Sequence, residues 1–283
     1  MKNTFKLMIA VGATLLLAAC GNNIQPSKTS YGQHGLVAIL KGSASGAKTV
    51  SYKADDESGK VTIHGGTYAI TLPVDDKTQT VKLTAGNASK SVKIKAAQTL
   101  GDYKTSAAKY NQAIVGMALP KDVQKLAGTV RTYNKQKMAT MSVPERMAAM
   151  QQIQTVQNAM KQATVATKDQ QLPATAKAGI TQIAKVGQVK VRANVAESGK
   201  LIGYAVIVPT KAMKNKTESQ KFGLTLGLLG NSVGVNTKKV MKQFQKQTKG
   251  QNKSQTTIKT IKNNGVKFNI GFSTSDLYIY ITK

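Results

Sequence analysis

The stretch Val189-Lys190-Val191-Arg192-Ala193-Asn194-Val195 decides the fold of the C-terminal part of this chain. Small apolar residues alternate in it with charged or polar ones, and this period of two is typical of a strand with one buried face. The run 202–208 repeats the alternation and is closed by Pro209. Two neighbouring strands therefore begin the C-terminal domain.

The rest of that domain mixes helices and strands. Asn263-Asn264-Gly265 is a strong signal for a short hairpin, because Asn and Gly tolerate the positive φ of a tight turn. The remaining predicted elements are helices over 219–229 and 237–248, strands over 256–261 and 266–272, and a terminal strand over 277–281. We therefore expect residues 186–283 to form an α+β domain of ββααβββ order, packed with the helices that precede it.

Residues 101–185 are expected to be a helical region. A stripe of Tyr103, Ala107, Tyr110, Ile114 and Met117 has the spacing of one helix face, and a second stripe follows Pro120. Ser142-Val143-Pro144-Glu145 fits a capping box that starts a third helix. Its predicted buried stripe is Met147, Met150, Ile153, Val156 and Met160. That helix should end before Pro173.

Residues 34–100 consist of short strand-like runs with a turn every 8–12 residues, which is typical of a small β-sandwich. In size and rhythm this region resembles the Ig-like modules of bacterial surface proteins, although it lacks their Cys-Trp-Cys core. The expected fold class is α+β and multidomain: an N-terminal Ig-like β-sandwich, central helices and the C-terminal α+β domain.

The N-terminal segment begins with basic residues and continues with a short apolar run over 7–19. This run is shorter than the roughly 17–25 residues of a membrane-spanning helix, as in a secretory signal. It ends in Leu17-Ala18-Ala19-Cys20-Gly21. The pattern of Leu, two small residues and Cys resembles the lipobox of bacterial lipoproteins. Cys20 is the one cysteine of the chain, so no intramolecular disulfide competes for it.

The resemblance implies a processed, lipid-anchored protein of the Gram-positive cell-surface type. Residues 1–19 would be a signal peptide, with Leu17, Ala18, Ala19 and Gly21 read by the signal peptidase. Cys20 would carry covalent diacylglycerol, with palmitate-like chains, and two acyl chains suffice for stable anchoring. Residues 20–33 would then be a flexible tether. The expected location is the extracytoplasmic face of the cell membrane.

The composition narrows the choice of partners. The chain has 41 Lys and Arg against 12 Asp and Glu, a net charge of +29, and no Trp. A sugar site built from stacked indoles is therefore excluded. A charge of this size favours polyanions, which outside the cell are anionic headgroups, phosphate-bearing wall polymers and acidic glycans. Nucleic acid would bind only non-specifically. The alternative is that the lysines are a solvated coat.

Few residues suggest catalysis or metal binding. Gly230-Asn231-Ser232-Val233-Gly234 matches the nucleophile elbow of a hydrolase, but both histidines, His34 and His64, precede it and Asp276 is the one later acid. We therefore expect these glycines to form a turn between two helices. Two histidines without a spare cysteine exclude most zinc sites. The acidic turns 55–57 and 75–76 lack the spacing of an EF-hand loop. No metal and no non-covalent cofactor are expected.

One basic stripe stands out. Lys239, Lys242, Lys246 and Lys249 lie at spacings of three, four and three on the helix predicted over 237–248. They share one face of that helix, opposite Val240, Met241 and Phe244. No acid occurs between Glu218 and Asp276. The stripe is either an electrostatic docking face for polyanions or the solvated side of an amphipathic helix.

The sequence favours a non-catalytic function: binding or adhesion at the cell envelope, with anionic wall polymer or acidic glycan as the expected partner. A second class, the substrate-binding lipoprotein of a transport system, would have two α/β lobes with a ligand cleft between them. A third, an envelope hydrolase using Ser232, would have a deep pocket with paired polar groups. The sequence does not determine the oligomeric state.

Overall fold

The computed structural model describes residues 21–249 and 259–283. These residues form six α-helices and fourteen β-strands in three sheets, a mixed α+β architecture without a closed barrel. The predicted signal peptide and Cys20 lie outside the described residues. Within them, no helix combines the length and the apolar character needed to cross a membrane.

The N-terminal module is built from two sheets that enclose one core. The three-stranded sheet has the order β1-β3-β6, and the five-stranded sheet has the order β2-β8-β7-β4-β5. Alternation places Val81 and Leu83 in the core and Lys82 in solvent. The strands are β1 (Asn23–Pro26), β2 (Ser30–Tyr31), β3 (Val37–Ser45), β4 (Thr49–Lys53), β5 (Ser58–Thr62), β6 (Thr67–Pro73), β7 (Gln79–Ala85) and β8 (Ala88–Ile94).

The flexible tether predicted for 20–33 is largely wrong, because β1 and β2 lie within it. β1 pairs with β3 in antiparallel register, and the side chain of Ile24 is buried in the core. Tyr31 is also buried, and its hydroxyl donates to the Lys41 carbonyl at 2.8 Å. Two very short polar strands show no periodicity in the sequence, so only the pairing partner reveals them.

The central helices are α1 (Tyr103–Ala118), α2 (Lys121–Val130), α3 (Lys135–Thr140) and α4 (Val143–Ala166). The capping box at the start of α4 is confirmed: the Ser142 backbone N–H donates to Glu145 Oε2 at 2.8 Å. The inward stripe of α1 is confirmed for Tyr103, Ala107, Tyr110 and Ile114, whereas Met117 at its end is exposed.

The stripe predicted to be the buried face of α4 is wrong for its three methionines and confirmed for Val156. Met147 and Met150 are 67% and 59% exposed, and Met160 is 39% exposed. The buried residues are Ala149, Val156 and Ala163, spaced seven apart. α4 packs on α1 and α2 along this narrow line of small residues. A narrow contact line leaves the larger side chains beside it in solvent.

The C-terminal sheet is antiparallel and has the order β12-β13-β14-β11-β10-β9. The hairpin at 263–265 is confirmed, with Asn264 and Gly265 at φ of 50° and 75° between two paired strands. The strands are β9 (Gly179–Val186), β10 (Val189–Val195), β11 (Leu201–Pro209), β12 (Ile261–Asn263), β13 (Val266–Phe272) and β14 (Asp276–Thr282), and the helices between β11 and β12 are α5 (Lys216–Ser232) and α6 (Thr237–Lys249).

This order is βββααβββ, one strand more than the sequence predicts. The additional strand, β9, lies at the sheet edge, and all but its last residue belong to the region 101–185 that was expected to be helical. A β-bulge explains why the sequence pattern does not reveal β9. The register against β10 skips Ile183, because Val191 pairs with Ala184 while Arg192 pairs with Gln182. The bulge breaks the period-two pattern by which a strand is recognised.

The two folded regions pack against each other. The Asn194 amide donates to the Leu36 carbonyl at 3.0 Å and to the Val74 carbonyl at 2.7 Å. Gly35 lies against Tyr280, and a Cβ at Gly35 would be 2.9 Å from that ring. Because its φ is also +63°, only glycine suits this position. The helices α1, α5 and α6 cover the opposite face of the sheet, where the main core lies.

Candidate anion-binding face

Helix α6 is fixed at its start by a network of asparagines. The Asn236 side chain accepts a hydrogen bond from the Lys239 backbone N–H at 3.2 Å, as in an N-cap. The Asn236 backbone N–H donates to Asn263 Oδ1 at 2.9 Å, and Asn264 donates to the Gly234 carbonyl. The β12–β13 hairpin therefore holds the loop that leads into the helix.

The apolar side of α6 determines which way its lysines point. Val240 is 3% exposed and belongs to the main core. Phe244 packs against Phe222 of α5, with ring centroids 6.3 Å apart. Burial of these two side chains stabilises one rotational setting of the helix, since any other setting would expose them.

We call Lys239, Lys242 and Lys246 the α6 lysine face. All three side chains are exposed. At a rise of about 1.5 Å per residue, they span about 10 Å along the helix axis. Lys249 is the last residue of the helix, but its side chain lies outside the described part.

Carboxylates do not neutralise this surface. In the described part of the chain, the ion pairs are Lys200–Asp102 and Lys221–Glu218, and neither includes a residue of α6. Lys238 is also exposed beside the face. An array of ammonium groups on a fixed helix can bind phosphate or carboxylate groups that repeat along a polymer. It offers no general base, nucleophile or metal ligand.

Lys262 and Lys267, on the strands beneath α6, do not extend this surface. Ile261 and Phe268 face the main core beneath α6. Alternation therefore directs their neighbours Lys262 and Lys267 to the other face of the sheet. Lys267 Nζ donates there to the Lys283 carbonyl at 3.2 Å. Lys262 and Lys267 are therefore not part of the candidate site.

Ser232 is buried at the C-terminal end of α5, not on a strand-to-helix elbow. Its hydroxyl donates to the Leu229 carbonyl at 2.7 Å and lies 2.8 Å from Ser106 Oγ. Ser106 in turn lies 2.8 Å from the Tyr204 hydroxyl. Burial raises the pKa of Tyr204, so this phenol stays protonated. The three hydroxyls form a closed structural chain that includes neither a histidine nor a carboxylate.

The glycines around Ser232 have separate structural roles. Gly234 makes the turn between α5 and α6 at a φ of +82°, as expected from the sequence. Gly230 lies inside α5, where a Cβ would come within 3.1 Å of the Thr237 methyl. The motif therefore reflects close packing of two helices.

The acidic turns lie at the end of the N-terminal module that contacts the C-terminal domain. Ser198 donates to Asp76 Oδ2 at 2.6 Å and lowers the pKa of Asp76, while burial raises the pKa of Asp75. A small cleft of about 240 Å³ beside them is lined by Asp56, Glu57 and Glu197, among others. Across residues 21–249 and 259–283, no group of three or more His, Cys, Asp or Glu side chains is arranged to hold a metal ion.

A broader cleft of about 1030 Å³ lies on the N-terminal module and is open to solvent. Tyr68, Lys41 and His64 contribute to its lining. The Tyr68 hydroxyl is buried without a hydrogen-bond partner, and burial raises its pKa to about 12. A phenol in this state is a hydrogen-bond donor and not a base.

Sequence reasoning missed Asn194 and Gly35, the residues that join the two folded regions. A polar Asn on the solvent side of a predicted strand and a Gly among strand residues are ordinary features. Their roles depend on contacts with residues 36, 74 and 280. No signal in the sequence distinguishes them.

The comparisons with known proteins identify no family. No protein-family model and no curated protein matches this chain. One solved structure to which part of the chain is similar is an FMN-binding beta-glucuronidase from Facaelibacterium prausnitzii L2-6. The similarity has 14% sequence identity and a TM-score of 0.24, and it covers 27% of this chain. The matched part spans only 12% of the glucuronidase chain.

Proposed function

We propose that this protein is a non-catalytic, lipid-anchored lipoprotein that binds anionic polymers at the cell envelope. The observation that carries the binding proposal is the α6 lysine face: three exposed ammonium groups on a fixed helix, with no carboxylate in an ion pair with them among the described residues. Phosphate-bearing wall polymer or acidic glycan is the proposed partner. No cofactor beyond the covalent diacylglycerol is proposed.

The anchor rests on the lipobox. Leu17-Ala18-Ala19-Cys20 would direct cleavage before Cys20, and diacylglycerol on its sulfur would hold the protein at the extracytoplasmic face of the membrane. Two acyl chains bury enough methylene groups for stable binding, whereas one chain gives only reversible binding.

The N-terminal module is proposed to be an Ig-like sandwich that acts as a spacer or adhesive unit. In the Ig fold, strands A, B and E share one sheet, and strands G, F, C and C′ follow one another in the other. The sheet β1-β3-β6 corresponds to the first arrangement. The succession β8-β7-β4-β5 corresponds to the second, with the short β2 added parallel to β8.

The binding proposal can be tested on soluble protein that lacks residues 1–20. Its affinity for a phosphate-bearing wall polymer and for an acidic glycan would be measured across a salt series. In a variant with Lys239, Lys242 and Lys246 changed to Gln, the Kd at low salt should rise at least about tenfold. The variant loses three ion pairs with the polymer, each contributing up to about 1 kcal/mol. The affinity of the unchanged protein should fall steeply with salt.

The matched control changes three exposed lysines of the N-terminal module, Lys82, Lys93 and Lys95, to Gln. It removes the same charge from a different surface. If the two variants bind equally well, net charge and not the α6 lysine face determines binding, and the proposal for this helix is overturned.

A further inference from the structure

The N-terminal module begins almost immediately after the proposed lipid attachment site. Only Gly21 and Asn22 separate Cys20 from β1. At about 3.3–3.6 Å per extended residue, Asn23 lies within about 10 Å of the acylated residue. This inference rests on the proposed lipid anchor. A chain this short cannot hold the module away from the bilayer.

We propose that the end of the module around Asn22 stands directly on an anionic bilayer, in contact with the phosphate headgroups. We call this end the Asn22 end. It consists of the β3–β4 turn over 46–48, the β5–β6 turn over 64–66 and the β7–β8 turn over 86–87. The protein would then be a membrane-apposed module and not one that moves freely on a tether.

Contacts of described residues bring these three turns together. With its amide oriented to satisfy both partners, Asn22 donates to the Gly46 carbonyl at 2.5 Å and accepts from the Asn87 N–H at 2.9 Å. The Ile63 N–H donates to the Lys48 carbonyl at 3.0 Å. The Ala44 N–H donates to the Gly66 carbonyl at 2.9 Å, and this hydrogen bond joins the β5–β6 turn to the end of β3.

The turns of the Asn22 end are tight and protrude little from the module. Gly46, Gly65, Gly66 and Gly86 all adopt positive φ. Side chains at such positions are strained, so glycine keeps the turns short. At these glycines the backbone can therefore approach the headgroups closely, because no side chain stands between them.

The acidic residues of the module are concentrated away from the Asn22 end, in the sense that an anionic bilayer requires. Lys48 and His64 are exposed in the turns of the Asn22 end, which contain no carboxylate. Lys60 and Lys90 are exposed in the adjoining strands. The acidic turns 55–57 and 75–76 lie at the opposite strand ends, which also carry the exposed Lys53, Lys77 and Lys95. Lysines near an anionic leaflet are attracted to it, whereas carboxylates are repelled.

The same orientation places the C-terminal domain away from the bilayer. Its contacts with the module, through Asn194 and Ser198, reach Leu36, Val74 and Asp76 at the end opposite Asn22. β6 connects the two ends and has seven residues, which corresponds to about 23 Å of strand. This separation favours wall polymer over lipid as the ligand of the α6 lysine face.

The test uses full-length lipidated protein in vesicles that contain phosphatidylglycerol. If Cys20 is acylated, a cysteine introduced elsewhere is the one thiol that a fluorophore can label. His64→Cys places the fluorophore at the Asn22 end, and Asp56→Cys places it at the opposite end, both at exposed positions. A headgroup-attached, short-range quencher should quench the fluorophore several-fold more strongly at position 64 than at position 56.

A control inserts a long Gly/Ser spacer between Gly21 and Asn22, and the difference between the two positions should then shrink. Equal quenching at both positions in vesicle-bound protein would overturn the apposition and leave the anchor intact. Failure of the protein to associate with vesicles, with Cys20 open to thiol labelling, would overturn the anchor and the apposition together.

Discussion

Asn194 shows how a single side chain can join two folded regions. It lies on β10 with 1% of its surface exposed, and its one amide group donates to two carbonyls of the N-terminal module. The Leu36 carbonyl also accepts from the Val74 backbone N–H at 3.2 Å, so the Asn194 amide reinforces a contact between the two segments that flank the strands. The amide replaces water at a buried junction, where an unmade hydrogen bond is costly.

Changing Asn194 to Ala is expected to lower the free energy of unfolding by about 1–3 kcal/mol, because the buried Val74 carbonyl loses its donor, whereas the Leu36 carbonyl keeps the Val74 N–H. Chemical denaturation of the soluble protein measures this change. Asn158→Ala on the exposed side of α4 is the matched control and should change stability by less than about 0.5 kcal/mol. Equal effects of the two substitutions would show that the junction does not depend on the Asn194 amide.

Ser232 illustrates how a short motif can match by sequence and differ in structure. The hydrolase motif requires an exposed hydroxyl at a strained turn, with an acid and a histidine in reach. Here Ser232 is 4% exposed, and its hydroxyl is hydrogen-bonded to Leu229 and Ser106. Both histidines belong to the N-terminal module, so the topology of the chain separates the groups that such chemistry would combine.

At the scale of elements, α4 is held by small residues and not by its methionines. Changing Met147 and Met150 together to Gln is expected to alter the free energy of unfolding by less than about 0.5 kcal/mol, as is usual for surface substitutions. Val156→Ala should cost about 2 kcal/mol, since it removes two buried methyl groups and leaves a cavity. Urea denaturation compares the two variants. A larger loss in the methionine variant would mean that those side chains are buried in solution.

The capping box of α4 makes its first turn sensitive to pH. Hydrogen bonds from the Ser142 hydroxyl and backbone N–H lower the pKa of Glu145 below its ordinary value of 4.5. A carboxylate with a lowered folded-state pKa stabilises the fold above the unfolded-state pKa, and this contribution disappears as the pH falls through the folded-state pKa.

We therefore expect backbone amides in the first turn of α4 to lose hydrogen-exchange protection as the solution is acidified through that range. Exchange rates would be corrected for the intrinsic pH dependence of the chemistry. In Glu145→Gln, which keeps an acceptor but cannot titrate there, protection of this turn should change less. Identical acid profiles of the two proteins would exclude Glu145 as the cause.

At the scale of the whole molecule, the net charge of +29 sets the response to salt. A compact chain with this excess of lysine repels itself, and salt screens the repulsion. We expect the thermal unfolding midpoint to rise by a few degrees as NaCl increases from low to moderate concentration. The variant with Lys239, Lys242 and Lys246 changed to Gln should show a shallower rise, and a midpoint that falls with salt would contradict this account.

The sequence was a good guide where a pattern repeats within one element. Alternation identified β10 and β11, Asn263-Asn264-Gly265 identified the hairpin, and Ser142 with Glu145 identified the start of α4. It was a poor guide where an element is too short or interrupted. β1 and β2 have too few residues to show a period, and the bulge at Ile183 hides β9.

For the candidate site, too, the sequence was a good guide within one element and a poor guide between elements. Helical spacing predicted that Lys239, Lys242 and Lys246 share a face, because the period of a helix is set by its own backbone. Which neighbouring lysines join that face depends on the sheet below. Alternation across β12 and β13 directs Lys262 and Lys267 to the other side, and this follows from which face packs against α6.

By itself, the sequence determined the local elements, the strong positive charge and the amphipathic character of α6, since each depends on residues close together in the chain. Tertiary structure alone decided that Ser232 is buried, that the α4 methionines are exposed and that Asn194 joins the two folded regions. It also decided that β1 begins at Asn23, with only Gly21 and Asn22 between it and Cys20. These features depend on contacts between distant residues, and burial is a property of such contacts and not of any one segment.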